Sequence, residues 1–211
     1  MPDAPQLADY AEHFARPTKA VESDLRAYAA LLTKWNKVTN LVSRETVVTL
    51  WERHILDSLQ VLPLIPQGAT RFLDLGSGGG LPGIPIAIAF KGGPRRITLV
   101  EPIQKKVSFL RTVIRELDLP AEVIAGRIED VDSRETVDVV TSRALASLSE
   151  LLRFSARFFG PETVGLFHKG GEHLREIEES RSAFSFDVVV NKSSTERSGA
   201  ILAIRHPRPL R

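Results

Sequence analysis

The sequence predicts an α/β protein built on a doubly wound, mostly parallel sheet of seven strands with an antiparallel finish, preceded by helices. Three observations carry this. From about residue 70, short apolar runs alternate with helical stretches, the pattern of strands joined by crossover helices. A glycine-rich segment, Gly76-Ser77-Gly78-Gly79-Gly80, follows directly on the first apolar run. The last two apolar runs, 186–190 and 200–204, are joined by a polar loop alone, which reads as an antiparallel pair at one edge of the sheet.

The elements follow in order. Val21, Leu25, Tyr28, Leu32 and Trp35 recur at steps of three and four, one apolar stripe on a helix. Val48, Trp51, Ile55, Leu59 and Leu62 form a second stripe, ended by Pro63 and Pro66, with the polar connector 36–43 between the two. Residues 1–66 are therefore expected as a helical extension packed on a core domain, 67–211, the two making one structural unit. In that domain 71–75 reads as a buried strand and 82–90 as a helix, since proline is tolerated in a first turn where its missing N–H costs nothing. A strand at 96–101 precedes a helix marked by Val107, Leu110, Val113, Ile114 and Leu117 and closed by Pro120. Strands at 122–125 and 137–141, a helix at 148–159, a strand at 164–167 and a charged helix at 172–182 complete the alternation.

Composition narrows the class. The chain has 211 residues, 43% hydrophobic and 26% charged, enough for a sizeable core. No apolar run approaches the roughly 20 residues of a membrane span, and the first residues lack the basic and apolar regions of a secretory signal. The absence of cysteine excludes disulfides, thiolate metal sites and a cysteine nucleophile together. A cytoplasmic monomer is the simplest expectation. Net charge is only +2, but the chain ends in a basic segment, Arg205-His206-Pro207-Arg208-Pro209-Leu210-Arg211, which suits either a phosphate-rich partner or a solvated terminus.

In open α/β sheets a ligand sits beyond the carboxyl ends of the strands, where strand order switches. The loop after the first strand is Asp74-Leu75-Gly76-Ser77-Gly78-Gly79-Gly80-Leu81-Pro82-Gly83. Glycines let the chain turn sharply and let a cofactor approach without a Cβ in the way. Gly78, Gly80 and Gly83 also satisfy the dinucleotide pattern G-x-G-x-x-G, so a nicotinamide binder stays open. Two features favour S-adenosylmethionine. Asp74 ends the strand with a carboxylate, which suits an ammonium group and would repel a pyrophosphate. The glycine run also begins at Gly76, where the strand stops, so Gly78 comes late for a dinucleotide turn. Glu101, at the end of the second strand, is placed to accept ribose hydroxyls. After the third strand Ile128 and Glu129 are candidates to flank an adenine, Ile128 being equally suited to core packing.

The fourth strand ends Thr141-Ser142-Arg143-Ala144, without the polar-Pro-Pro-aromatic element of enzymes that methylate exocyclic amines. No cysteine is available to attack a pyrimidine, and no obvious general base stands nearby. An acceptor with a free lone pair, such as guanine N7, needs alignment rather than a base. Arg143 is then a candidate to steer substrate or hold a cofactor or phosphate group, or to form a salt bridge with Asp74 or Glu101.

Together the segments Asn40-Leu41-Val42-Ser43, Arg53-His54-Ile55-Leu56-Asp57-Ser58, Asp74 to Pro85, Lys106-Val107-Ser108-Phe109-Leu110, Ser142-Arg143-Ala144 and Lys169-Gly170 resemble the bacterial ribosomal RNA small-subunit methyltransferase G (GidB) family, over roughly residues 28–205. The resemblance implies a Rossmann-like class I methyltransferase fold. It also implies transfer of a methyl group from S-adenosylmethionine to N7 of a guanine in 16S rRNA, within the small subunit or a late assembly intermediate. By the same resemblance Gly76, Leu81, Ile128, Glu129 and Arg143 fall at cofactor positions, and helices carrying Asn40, His54 and Asp57 cap the substrate side. The chain departs from the family pattern at Gly79, often proline elsewhere, and at Glu101, where some relatives have aspartate.

His54, Asp57 and Ser58 share one helix face, a polar cluster suited to substrate or to mutual support. One histidine and one aspartate fall short of a metal ligand set. Lys169 and Arg197 are candidate phosphate contacts. A methyltransferase for a small molecule or protein, and a non-catalytic nucleotide- or RNA-binding module, are the competing functions.

Overall fold

The computed structural model describes residues 5–43, 48–132 and 137–210. A 3-10 turn, Leu7–His13, leads into helix α1 (Thr18–Asn36), whose Val21, Leu25, Tyr28 and Leu32 are completely buried, as the first stripe requires. The second stripe behaves differently. Trp51–Leu56 is wound as a π-helix that passes into a single α turn, α2 (Asp57–Leu59). Ile55, Leu59 and Leu62 are buried, whereas Val48 is 89% exposed. Residues 54–62 are buried without interruption, polar ones included, so this segment is an interior strut rather than a surface helix.

The sheet comprises β1 (Arg71–Leu75), β2 (Arg96–Glu101), β3 (Ala121–Ala125), β4 (Val137–Arg143), β5 (Phe159–Lys169), β6 (Phe184–Lys192) and β7 (Ala200–Pro209). Their order is β3-β2-β1-β4-β5-β7-β6. Strands β1 to β5 pair in parallel, and β7 runs antiparallel to both β5 and β6. The crossover helices are α3 (Gly83–Phe90), α4 (Gln104–Glu116), α5 (Leu148–Ser155) and α6 (His173–Ser180). Strand order reverses between β1 and β4, which opens the crevice where such sheets bind ligands.

Alternation along β1 assigns the two layers. Phe72 packs with Tyr28, Ile55, Ile84 and Phe109 beneath α1, α3 and α4. Leu73 and Leu75 pack on the other face with Val140, Leu148, Phe158 and Phe167. Between β3 and β4 the described chain holds only a 3-10 turn, Ile128–Asp130, leaving Glu122 and Ile124 exposed. The expected helix 148–159 ends at Ser155 and passes through a 3-10 turn, Ala156–Phe158, because Phe159 already opens a β5 longer than expected. The basic end is ordered pairing rather than a frayed tail: Ser185 faces Arg208, and Phe184 faces Pro209. No described helix is long and apolar enough to cross a membrane.

Candidate functional site

The glycine loop closes over the end of β1. Gly76 sits at φ +66°, the left-handed region that suits glycine, and a Cβ there would stand 2.5 Å from Leu145 Cδ1. The Gly78 N–H donates to Glu101 Oε2 at 2.8 Å, and the Ile103 N–H donates to Oε1 at 2.9 Å. Glu101 is 3% exposed, so its carboxylate clamps the loop to the end of β2 from within. From the N-terminal layer, the Tyr28 hydroxyl donates to the Gly79 carbonyl at 2.6 Å. These bonds hold open a cavity of about 350 Å³, lined by Gly76, Gly78, Leu81, Lys106, His54 and Arg143 among others.

Asp74 lies beneath the loop rather than on the cavity wall. It is wholly buried, Oδ1 accepts from the Thr141 hydroxyl at 2.6 Å, and Oδ2 rests near Gly83 at the start of α3. Burial pushes its carboxyl up to about 6, against the lowering effect of Thr141, Ser77 and the Gly83 backbone. A side chain at Gly83 would meet Leu99 Cδ2 at 2.3 Å and Asp74 Oδ2 at 2.9 Å, so glycine there lets α3 start against the strand.

Arg143 stands at the centre of the polar cluster. Its Nε lies 3.2 Å from Asp57 Oδ2, its Nη2 donates to the Arg53 carbonyl at 2.7 Å, and its Nη1 is buried with no hydrogen-bond partner among the described residues. The salt bridge anticipated with Asp74 or Glu101 is thus made with Asp57. The strut explains why: it brings the Arg53 carbonyl and the buried Asp57 carboxylate together beside the end of β4. His54, 8% exposed, is lowered to about 4 by burial and by the neighbouring Arg143 charge, so it is neutral at pH 7.

A second cavity, about 230 Å³, shares Arg143, Ala144 and the end of β4 with the first. Its other walls are Asp57, His168 and Lys169 from the ends of the strut and β5, and Ser193, Glu196 and Gly199 from the β6–β7 loop. His168 escaped sequence reasoning, although its place at the C-terminal end of a strand was the available signal. Its Nε2–H donates to the Asp57 carbonyl at 3.0 Å, and burial lowers its pKa, helped by the charge of Arg143. Gln60, also missed, ties strut to loop. Its Nε2 reaches Asp57 Oδ1 at 2.9 Å and Thr195 Oγ1 at 2.9 Å, and its Oε1 accepts from the Ser194 N–H at 2.7 Å.

The remaining candidates are dispersed. Lys169 is 8% exposed and already engaged, with Nζ 2.6 Å from Glu176 Oε2 and donating to the Ala146 carbonyl at 2.8 Å. Asn40 and Arg197 are exposed, beside the first cavity's Leu41 and on the second cavity's loop respectively. Ile128 belongs to the core layer of Leu73 and Val100, and Glu129 is exposed next to it; neither lines the first cavity. Among the described residues no cluster of three or more acidic or histidine side chains could hold a metal ion. A larger cavity, about 730 Å³, opens around Arg16, Arg96 and Glu122 at the N-terminal ends of β2 and β3, away from both strand-end cavities.

A seven-stranded sheet in this order, with its loop clamped by an acid at the end of β2, defines the Rossmann-like methyltransferase class. It superposes on a SAM-dependent methyltransferase from Aquifex aeolicus with a TM-score of 0.60, at 15% identity, over 83% of this chain and 98% of that one. The glycopeptide N-methyltransferase MtfA, solved with S-adenosylmethionine, gives 0.59 at 10% identity over 73% and 94%. Within that class, residues 21–204 match the model of the family described as GidB, rRNA small subunit methyltransferase G, and the chain belongs to this family. Proteins named ribosomal RNA small subunit methyltransferase G are 42% identical in Parvibaculum lavamentivorans, over 95% of this chain and 91% of the relative, and 46% identical in Brucella ovis, over 87% of each.

Proposed function

We infer that this protein transfers a methyl group from S-adenosylmethionine to the RNA of the small ribosomal subunit, with N7 of a guanine in 16S rRNA as the acceptor. The carrying observation is that the glycine-loop cavity shares the Arg143–Ala144 wall with a second polar cavity, so donor and acceptor have adjoining places. The donor fits the first: Gly76 and Gly78 line it without a Cβ, and the Glu101 carboxylate that fixes Gly78 keeps lone pairs for ribose hydroxyls. Gly76, Gly78, Leu81 and Arg143 would hold the donor. Ile128 and Glu129, at the end of β3, stand on the adenine side, and Asp74 supports the loop from below.

When bound, the sulfonium supplies a methyl carbon that the N7 lone pair attacks; the S–CH3 bond breaks and the positive charge passes to the purine. No proton has to leave N7, which agrees with a site whose two buried histidines have lowered pKa values and are poor proton acceptors. The chain's own part is alignment and exclusion of water. Residues 1–66 act as the cap over a domain formed by 67–211, through Tyr28, His54 and Asp57. Asn40 and Arg197 flank the opening and contact RNA there, Lys169 serving as a buried support. The protein works as a cytoplasmic monomer on the subunit or a late assembly intermediate, without a metal.

The test offers S-adenosylmethionine with a labelled methyl group, together with small subunits lacking native methylation or with naked 16S rRNA. Borohydride and aniline cleavage then reports N7-methylguanine. Label at one guanine, lost on Gly76 or Arg143 substitution, is expected. Absence of label in either RNA despite measurable donor binding would overturn the reading.

A further inference from the structure

Resting on that reading, we propose that the second cavity receives the flipped-out acceptor base, and that Glu196 reads the Watson–Crick edge of guanine within it. A base buried in RNA structure has to leave its stack for N7 to meet the donor. The space for it has to adjoin the donor's, and the Arg143–Ala144 wall is common to both cavities.

Topology orders the walls. From β1, which carries the glycine loop, the sheet runs through β4 and β5 to β7 and β6. Glu196 sits on the β6–β7 loop, on the side of the cavity remote from the glycine loop. Its carboxylate takes part in no hydrogen bond or ion pair among the described residues, unlike Asp57, which is occupied by Arg143, Gln60 and Thr195, and Glu176, which is occupied by Lys169 and the Leu148 N–H. Among the described residues Glu196 is therefore the one carboxylate on this cavity wall without a partner. The loop is fixed for the purpose: Gln60 binds Ser193, Ser194 and Thr195, immediately before Glu196.

Guanine offers N1–H and N2–H2 as paired donors on one edge and N7 with O6 on the other. A carboxylate on the remote wall that accepts the first edge turns N7 toward the shared wall. There Arg143 Nη1, buried and unpartnered, can donate to O6 and leave the N7 lone pair free. Adenine would set its N1 lone pair against the same carboxylate and is excluded. Glu196 also acts on the reaction itself. As N7 gains its methyl group the ring becomes cationic and its N1–H more acidic, so the charge-assisted bonds to Glu196 strengthen as charge develops. The positive charge of Arg143, which would oppose this, is balanced by Asp57.

The experiment compares wild type, Glu196→Gln, Glu196→Asp and Glu196→Ala on reconstituted subunits carrying either the target guanine or inosine, which lacks only the 2-amino group. Ser198→Ala, on the same loop as Glu196 and packed against Gly171 of the turn into α6, is the control. Subunit binding without the methyl donor, donor affinity and methylation rate are read separately. Wild type is expected to lose roughly ten- to a hundredfold in kcat/KM on inosine. Glu196→Ala should lose a similar factor on guanine, be insensitive to the inosine change, and bind the donor normally; Glu196→Asp should recover part of the loss. Equal inosine sensitivity in wild type and Glu196→Ala, or full activity of Glu196→Ala on guanine, overturns the proposal while leaving the methyltransferase reading intact. Failure of wild type to label any guanine overturns that reading instead.

Discussion

Replacing Asp57 with asparagine tests the centre of the site. The side chains of Asp57 and Arg143 are only 11% and 19% exposed, with Oδ2 3.2 Å from Nε. Asparagine keeps the shape and can still accept from Gln60 and Thr195, but it leaves the guanidinium without its counter-charge. Breaking a buried pair by removing one partner costs about 3–5 kcal/mol, and the residual exposure here places the expected loss near the lower limit, about 3 kcal/mol. For a chain of this size that is a fall in Tm of roughly 6–12 °C. Arg143→Met should cost a comparable amount, because it strands the carboxylate instead. The double variant strands neither charge, so it should be more stable than the sum of the single losses by about 1–3 kcal/mol. Urea unfolding of the four proteins at one pH, with the m-values compared, gives the coupling. Additivity within about 0.5 kcal/mol would show that the pair is geometric only and refute the reasoning.

Four other outcomes follow from the same structure. Asp74 has a folded-state pKa of about 6 against 3.8, so its stabilising contribution, full below pH 3.8, is lost as pH rises through about 6; the span is about 3 kcal/mol. Asp74→Asn should therefore melt above wild type at pH 7.5 and lose that advantage below pH 4; the reverse order in a thermal melt refutes it. His54 has the opposite sign: lowered from 6.5 to about 4, it favours the fold above pH 6.5 and ceases to as pH falls through about 4. His54→Gln should flatten the acid limb of a stability–pH curve, and an unchanged limb counts against the burial argument. Gly76→Ala, strained at φ +66° by about 1–2 kcal/mol, should weaken donor binding roughly tenfold or more by calorimetry while the protein still folds. Gln60→Leu removes the anchor of the β6–β7 loop, so hydrogen exchange of the Ser194 amide should quicken with donor affinity unchanged; unaltered exchange would show the loop held by other contacts.

What the sequence revealed follows from what is local. The β1 run, the glycine loop and the α3 start are consecutive residues whose chemistry depends on few others, so the crevice and the loop that closes over it were legible. Glu101 was legible too, because a strand end after an apolar run is a fixed place. The strut was not. Val48, Trp51, Ile55, Leu59 and Leu62 fit a helical stripe, yet His54, Asp57, Ser58 and Gln60 are buried as well, and for Asp57 and Gln60 distant partners make that tolerable. Gln60 meets Ser194, and Asp57 meets Arg143 and His168, across separations that no periodicity reports. The ion pair of Lys169 was not legible, because Glu176, seven residues on, is brought to it only by the turn into α6. Asp74 was legible as an acid at a strand end, but its complete burial and its bond to Thr141 depend on β4, which no local pattern reports.

The bond between Gln60 and Ser194 joins residues 134 positions apart. During synthesis the glycine loop, Glu101 and Tyr28 leave the ribosome well before the β6–β7 loop and the strand that seats it. Because β7 is inserted between β5 and β6, the sheet itself is finished only by the last strand made. In a nascent chain the glycine loop, Glu101 and Tyr28 are therefore all present while the second cavity still lacks the wall that Ser193, Glu196 and Gly199 supply.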